Sequence, residues 1–236
     1  MPFDIITNSF EKGGEMRLSK DQAAQNRSAI VDAASRLFRE RGYDAVGLTE
    51  LMKEAGFSHG GFYNHFDSKE ALASEAYQAS FDYYLSRLTH QLENSDATKK
   101  DALRACLKAY LSPAHRNDPA NGCPAASLAV DAMRRDESVQ ARYSEGIEAY
   151  ISIFAKQLSS SNNQTSDTEQ VNNREAAISL LTQLVGALVL SRAIAKYNPA
   201  LSNEVLGTAE KTIDSKLGAD EFKARSNVLF RNAKSP

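Results

Sequence analysis

Residues 49–69 read TELMKEAGFSHGGFYNHFDSK. Leu48, Leu51, Met52 and Ala55 recur at spacings of three and four, which predicts a short helix with one apolar face over 48–55. Gly47 stands at its N-cap, a weaker cap than Ser, Thr or Asp. Gly56 suits the left-handed conformation that stops a helix, with Phe57 packing back behind it. Ser58 is a good N-cap for a second helix over 59–65. There Phe62 and Phe66 lie four apart and suit an inward face, while Tyr63, Asn64 and His65 project polar groups between them. This is the pattern of a helix-turn-helix. In such a unit the second helix enters the major groove and uses its first residues on base edges.

Gly60 and Gly61 each cost about 1 kcal/mol against alanine inside a helix. Close approach of the backbone to a phosphate or base edge is one reason for them; a loop without function is the plainer one. Asp67 with Glu70 three residues on resembles a capping box, so the next helix is expected over 68–93. Lys69 then falls in a first turn, where a cation is unfavourable by the helix dipole unless a phosphate is held there.

The segment 27–72 resembles the DNA-binding domain of the TetR family of bacterial transcriptional repressors. The resemblance rests on Ile30, Ala33, Leu37 and Phe38, on Gly42-Tyr43, on Ala55-Gly56-Phe57-Ser58, on Gly60, on Phe62-Tyr63-Asn64-His65-Phe66, and on Ser68-Lys69-Glu70 with Leu72. Two positions depart from the family pattern. Gly47 stands where Thr or Ser is usual, which makes Thr49 the nearer phosphate candidate. His59 stands where Lys, Arg or Pro is common. The DNA-contacting set expected here is Arg27, Thr49, Ser58, His59, Gly60, Gly61, Tyr63, Asn64, His65 and Lys69, with Arg27 and Lys69 on phosphate and Arg17 and Lys20 as weaker arm candidates. Arg36, Arg39 and Arg41 read better as a solvated helix face.

The chain of 236 residues has ordinary apolar content and a net charge of −2, so composition alone does not point to nucleic acid. Two cysteines give no disulfide framework and suit a reducing cytoplasm. No signal peptide is expected, since the first fifteen residues lack a basic start and an apolar run. Residues 1–20 read as a disordered arm, and Met16 is an alternative start. The run 176–195 is long enough to span a membrane, but Ser179, Thr182, Gln183, Ser191 and Arg192 favour a largely buried helix and no membrane.

The fold class expected is all-α, with helices near 21–41, 48–55, 59–65, 68–93, 97–112, 123–134, 137–159, 172–196 and 202–217. Residues 21–68 form the helix-turn-helix unit and 69–218 a second domain, with 219–236 a tail or short helix. Residues 159–173 are polar and read as a mobile loop. Pro113 and Pro119 bracket another loop. The family resemblance implies that the second domain binds a small molecule and forms a homodimer through its last two long helices. Leu181, Leu184, Val185 and Leu188 are the interface candidates; an entirely internal helix is the alternative. Tyr83, Tyr84, Tyr110, Met133, Tyr150, Phe154 and Gln183 lie on helices that line the family's pocket, though each alone reads equally as core. Cys123 precedes Pro124 at a helix start, where a thiolate is favoured; it is a candidate redox sensor or a small core residue. Cys106 reads as core. The histidines show no metal-ligand spacing, and neither metal nor cofactor is implied.

The resemblance thus implies a ligand-responsive repressor that binds a palindromic operator in double-stranded DNA as a dimer and is released by a small molecule or a thiol-reactive signal. A helical enzyme, and an adaptor whose helix-turn-helix no longer meets DNA, stay open at this point, as does an activator.

Overall fold

The computed structural model describes residues 20–95, 97–159 and 166–232, from 219 on as backbone only. The expected arm therefore lies outside the described residues, except for Lys20. The chain is helical, with no strand among the described residues. Helix α1 spans Lys20–Arg41 and α2 Leu48–Glu54, followed by a 3-10 helix over His59–Asn64 and by α3, Lys69–Glu93. Then come α4 (Lys99–Tyr110), α5 (Pro113–Asn117), α6 (Pro124–Ser127), α7 (Ala129–Ala132), α8 (Glu137–Leu158), α9 (Asp167–Ile194) and α10 (Pro199–Asn232).

Local chemistry sets the ends of α2. Gly47 caps it with extended backbone and no side-chain bond. At its other end the Phe57 amide donates to Met52 O (2.7 Å) and the Gly56 amide to Lys53 O (3.1 Å), with Gly56 at φ +86°. That bond pair is a Schellman stop. The cap of α3 is Ser68, whose hydroxyl accepts from the Ala71 amide, so the capping box expected at Asp67 is absent. Glu70 turns to Arg135 instead (3.2 Å).

Further boundaries differ from expectation. The 97–112 helix ends at Tyr110, and Ser112-Pro113 opens the separate α5, with Ser112 accepting from the His115 amide. The 123–134 helix breaks at Leu128 into α6 and α7. Helix α9 begins at Asp167, capped by Ser166, inside the segment expected to be a loop; residues 160–165 of that segment lie outside the described residues. Helix α10 runs on past residue 218 with no break at the expected tail.

Two apolar cores share α3. Leu72, Ala73, Ala76 and Tyr77 join Ile30, Leu37, Phe38, Leu51, Met52, Phe62 and Phe66, together with Leu128, Ala132 and Val139 from beyond α3. One turn on, Phe81, Leu88 and Leu92 enter the core of α4, α8, α9 and α10. Gly146 lets α8 lie directly on the Phe81 ring; a Cβ there would overlap it. At 25 residues, α3 is about 37 Å long and joins both cores in one rigid rod.

Candidate nucleic-acid interface and effector pocket

The segment after Ser58 is a 3-10 helix, not the expected α-helix. Two glycines in six residues weaken α-helical preference, and tighter i to i+3 bonding suits so short a piece. Phe62 and Phe66 are buried and stacked, with centroids 5.7 Å apart. Ser58, His59, Gly60, Tyr63 and Asn64 are exposed, as is Thr49 on α2, while Gly61 and His65 are half-buried. Ser58 has extended backbone but makes no side-chain cap bond. Neither Gly60 nor Gly61 has positive φ, and a Cβ at Gly60 would meet nothing within 4 Å. The fold itself does not require glycine there.

Arg27 and Lys69, expected on phosphate, are engaged within the chain. Arg27 Nε donates to Glu75 (3.2 Å), its Nη atoms bond to Glu75 and to the His65 carbonyl, and its guanidinium lies 4.0 Å from the Phe66 ring centroid. Lys69 Nζ donates to the Tyr43 carbonyl (2.6 Å) and sits 3.9 Å from the Tyr43 ring centroid. Burial lowers its pKa. A carbonyl and an aromatic face compensate the cation in place of a phosphate. Arg135 covers the same ring at 4.2 Å and bonds to Asp44 and Glu70. Asp131 accepts from the Tyr43 amide (2.7 Å). Tyr43 is thereby latched between the reading unit and residues 131–135. Arg36 and Arg41 form surface pairs with Glu54 and Glu50, as a solvated face would. Arg39 does not: it is buried and donates to Ala120 O and to Ser35 Oγ, both at 2.9 Å.

A second site lies within the helical core. Tyr84, Arg87, Leu88 and Gln91 of α3, Cys106, Leu107 and Tyr110 of α4, His115 and Asn121, Tyr150 and Phe154 of α8 and Leu184 of α9 enclose about 170 Å³. Tyr84, Tyr110, Tyr150 and Phe154 were expected there. Tyr83, Met133 and Gln183 are not brought to it. Tyr83 is one residue round α3 from Tyr84, so it points outward, where Arg87 Nη1 donates to its hydroxyl (3.1 Å). Met133 lies beyond the end of α7 and is 72% exposed. Gln183 faces α10 and accepts from Lys216 Nζ (3.3 Å).

His115 escaped the sequence reading, although Ser112-Pro113 marks the turn that fixes it. Its Nε2 accepts from the Cys123 amide (3.0 Å), so the other nitrogen, Nδ1, is the donor to Tyr110 O (2.7 Å). Burial lowers its pKa, which keeps it neutral. The Tyr110 hydroxyl is buried beside the Cys123 thiol without a hydrogen-bond partner of normal geometry, and burial pushes its pKa well up. Cys123 caps α6 as expected but is wholly buried, its Sγ 3.2 Å from Tyr150 Oη. Cys106 rather than Cys123 lines the cavity, and burial pushes its thiol up, away from thiolate. Among the described residues no cluster of three metal-ligating side chains occurs.

The expected interface leucines face their own core. Leu181, Leu184 and Leu188 are buried within the protomer and Val185 is half-buried. Their run covered more than one helix face, and folding took the larger side inward. The apolar surface left on α9 comprises Val171, Ile178 and Leu190, beside Leu201 of α10, with open space over Gly186.

The sequence pattern described as "Bacterial regulatory proteins, tetR family" matches residues 30–76, and that of the "Transcriptional regulator LmrA/YxaF-like, C-terminal domain" matches 99–201. The chain is 24% identical over 141 residues to the HTH-type transcriptional repressor NemR of Escherichia coli strain K12, which covers 60% of this chain and 71% of NemR. It is 27% identical over 177 residues to the HTH-type transcriptional regulator LmrA of Bacillus subtilis, covering 75% and 91%. The crystal structure of E. coli NemR in its reduced form matches with a TM-score of 0.65 at 22% identity, over 81% of this chain and 96% of that one. A TetR-family regulator from Cytophaga hutchinsonii gives 0.66 at 22% identity, over 84% and 97%. At such identities the structural likeness is one of fold. With the helix-turn-helix geometry and the sequence matches taken together, the chain belongs to the TetR family and is a ligand-responsive, DNA-binding transcriptional regulator, not an enzyme.

Proposed function

We propose that this protein is a cytoplasmic repressor that binds a palindromic operator as a homodimer and is released by a small molecule. The observation that carries the reading is the exposed group Ser58, His59, Gly60, Tyr63 and Asn64 set on a buried Phe62–Phe66 pair. Residues 21–68 present it, with Thr49 as a phosphate contact at the start of α2. His59 and Asn64 read bases, and Tyr63 and the Gly60-Gly61 backbone meet the DNA backbone. Gly60 supports this reading: it is exposed, and no described residue fills the place of its side chain, so a DNA backbone has room to approach there. Arg27 and Lys69 hold the reading helix in place rather than touching phosphate first. Two copies of 69–218 pair through the exposed face of α9 and α10.

The effector we propose occupies the cavity among Tyr84, Tyr110, His115, Tyr150 and Phe154. A small molecule fits better than a thiol reagent, since Cys123 is closed off and burial disfavours the Cys106 thiolate. The route to DNA is short. His115 and Asn121 flank a loop whose Ala120 carbonyl is held by Arg39 of α1. An effector that moves this loop moves α1, and DNA must weaken effector binding by the same factor. The test is fluorescence anisotropy on duplex DNA selected from a random pool, at two salt concentrations. Dimeric binding that falls steeply with salt supports the reading; no enriched sequence at low salt refutes it.

A further inference from the structure

Arg39 and Arg116 are buried and Arg192 is half-buried, yet among the described residues none has a carboxylate within salt-bridge distance. Their bonds go to neutral acceptors. Arg116 donates to Asn117, Ser202 and Asn203, and Arg192 to the carbonyls of His115 and Arg116 and to Ser127 Oγ. Buried charge is ordinarily paired with opposite charge.

All three arginines line one open groove of about 490 Å³, which also takes in Arg41 and the exposed Lys196. Glu40 is the single carboxylate lining it among the described residues; Arg41 is already paired, with Glu50 at 2.6 Å and Glu40 at 3.8 Å. The C-terminal ends of α1 and α9 reach this groove. Their dipoles bring about half a negative charge each, and Asp118, between the lining residues Asn117 and Pro119, acts on Arg39 and Arg192; with Arg39, Arg116, Arg192 and Lys196 around it, the groove keeps a positive excess. Arg116 Nη2 makes no hydrogen bond to a described residue, and it is not among the sealed polar atoms, so it stays open to solvent. The groove shares no lining residue with the aromatic cavity, although Arg192 also holds the His115 carbonyl (3.1 Å).

We infer that this groove binds a compact multivalent oxyanion of the phosphate class, held by Arg116, Arg192 and Lys196. Such an anion bridges α5 to the end of α9. It neither needs the aromatic pocket nor depends on the identity of its effector.

The test uses the full chain without DNA. Isothermal titration with sodium phosphate at pH 7.5, ionic strength held constant with chloride, is expected to show one site per protomer, with sulfate competing. Lys196→Glu is expected to weaken it at least tenfold. Lys196 is exposed, so its unfolding midpoint in chloride should match wild type. Arg116→Gln should abolish binding, but it also removes the bonds to α10, so Lys196→Glu carries the decision. No binding by wild type, or equal binding by wild type and Lys196→Glu (an adventitious ion only), overturns the inference. Neither result bears on operator or effector binding.

Discussion

At the scale of single residues, Gly60 separates folding from function. No described residue lies within 4 Å of a Cβ placed there, and its φ is not positive. Gly60→Leu should therefore leave stability within about 0.5 kcal/mol of wild type, while operator affinity falls at least about tenfold, or 1.4 kcal/mol. Urea denaturation and anisotropy read the two effects separately. Tyr110 makes the opposite trade. Its buried hydroxyl has the Cys123 thiol beside it but no well-formed hydrogen bond among the described residues, so Tyr110→Phe should stabilise by about 1 kcal/mol while weakening effector release of DNA. His115 sets the pH response. Its folded pKa lies below the ordinary 6.5, so folding favours the neutral ring. That stability is fully present above about pH 6.5 and is lost as pH falls from there toward the folded value. The urea midpoint of wild type should drop between pH 7.5 and 5.5, and His115→Asn should flatten the change.

At the scale of elements, the latch on Tyr43 decides how the reading unit sits on the rest. Asp131→Ala leaves the Tyr43 amide without its acceptor and should cost about 1–3 kcal/mol by chemical denaturation. The effector should then release DNA less completely, because the joint it works through is loosened. How legible an element was in the sequence follows the range of the forces that shape it. The stop of α2 at Gly56 and the inward Phe62 and Phe66 are set within a few residues and could be read directly. The partners of Arg27 and Lys69 could not, since Glu75 and Tyr43 are brought to them only by folding. The burial of Arg39 is hidden in the sequence for the same reason: its acceptor Ala120 lies 81 residues on. The 3-10 form of 59–64 was half legible: Gly60 and Gly61 weaken an α-helix, but nothing local says what replaces it.

At the scale of the whole molecule, the proposed reading of a palindrome needs two copies of the chain. The apolar run of α9 signalled an interface without saying which face would form it. Leu181, Leu184 and Leu188 went inward, leaving Ile178 and Leu190 outside. The pocket was likewise half legible: Tyr84, Tyr110, Tyr150 and Phe154 meet, whereas neighbouring Tyr83 turns away by one step of the helix. Replacing both Ile178 and Leu190 with Arg should give a folded monomer by analytical ultracentrifugation. Its helical circular dichroism should be unchanged, and operator binding should be lost, since one protomer holds one half-site.

The most direct measurement is selection of duplex DNA from a random pool by wild type, with the His59→Ala, Asn64→Ala variant selected in parallel. The expected result is a palindrome whose half-sites are centred about 34–36 Å apart, and an altered base preference in the variant. Selection of nothing by wild type, or of the same sequence by both proteins, would contradict it.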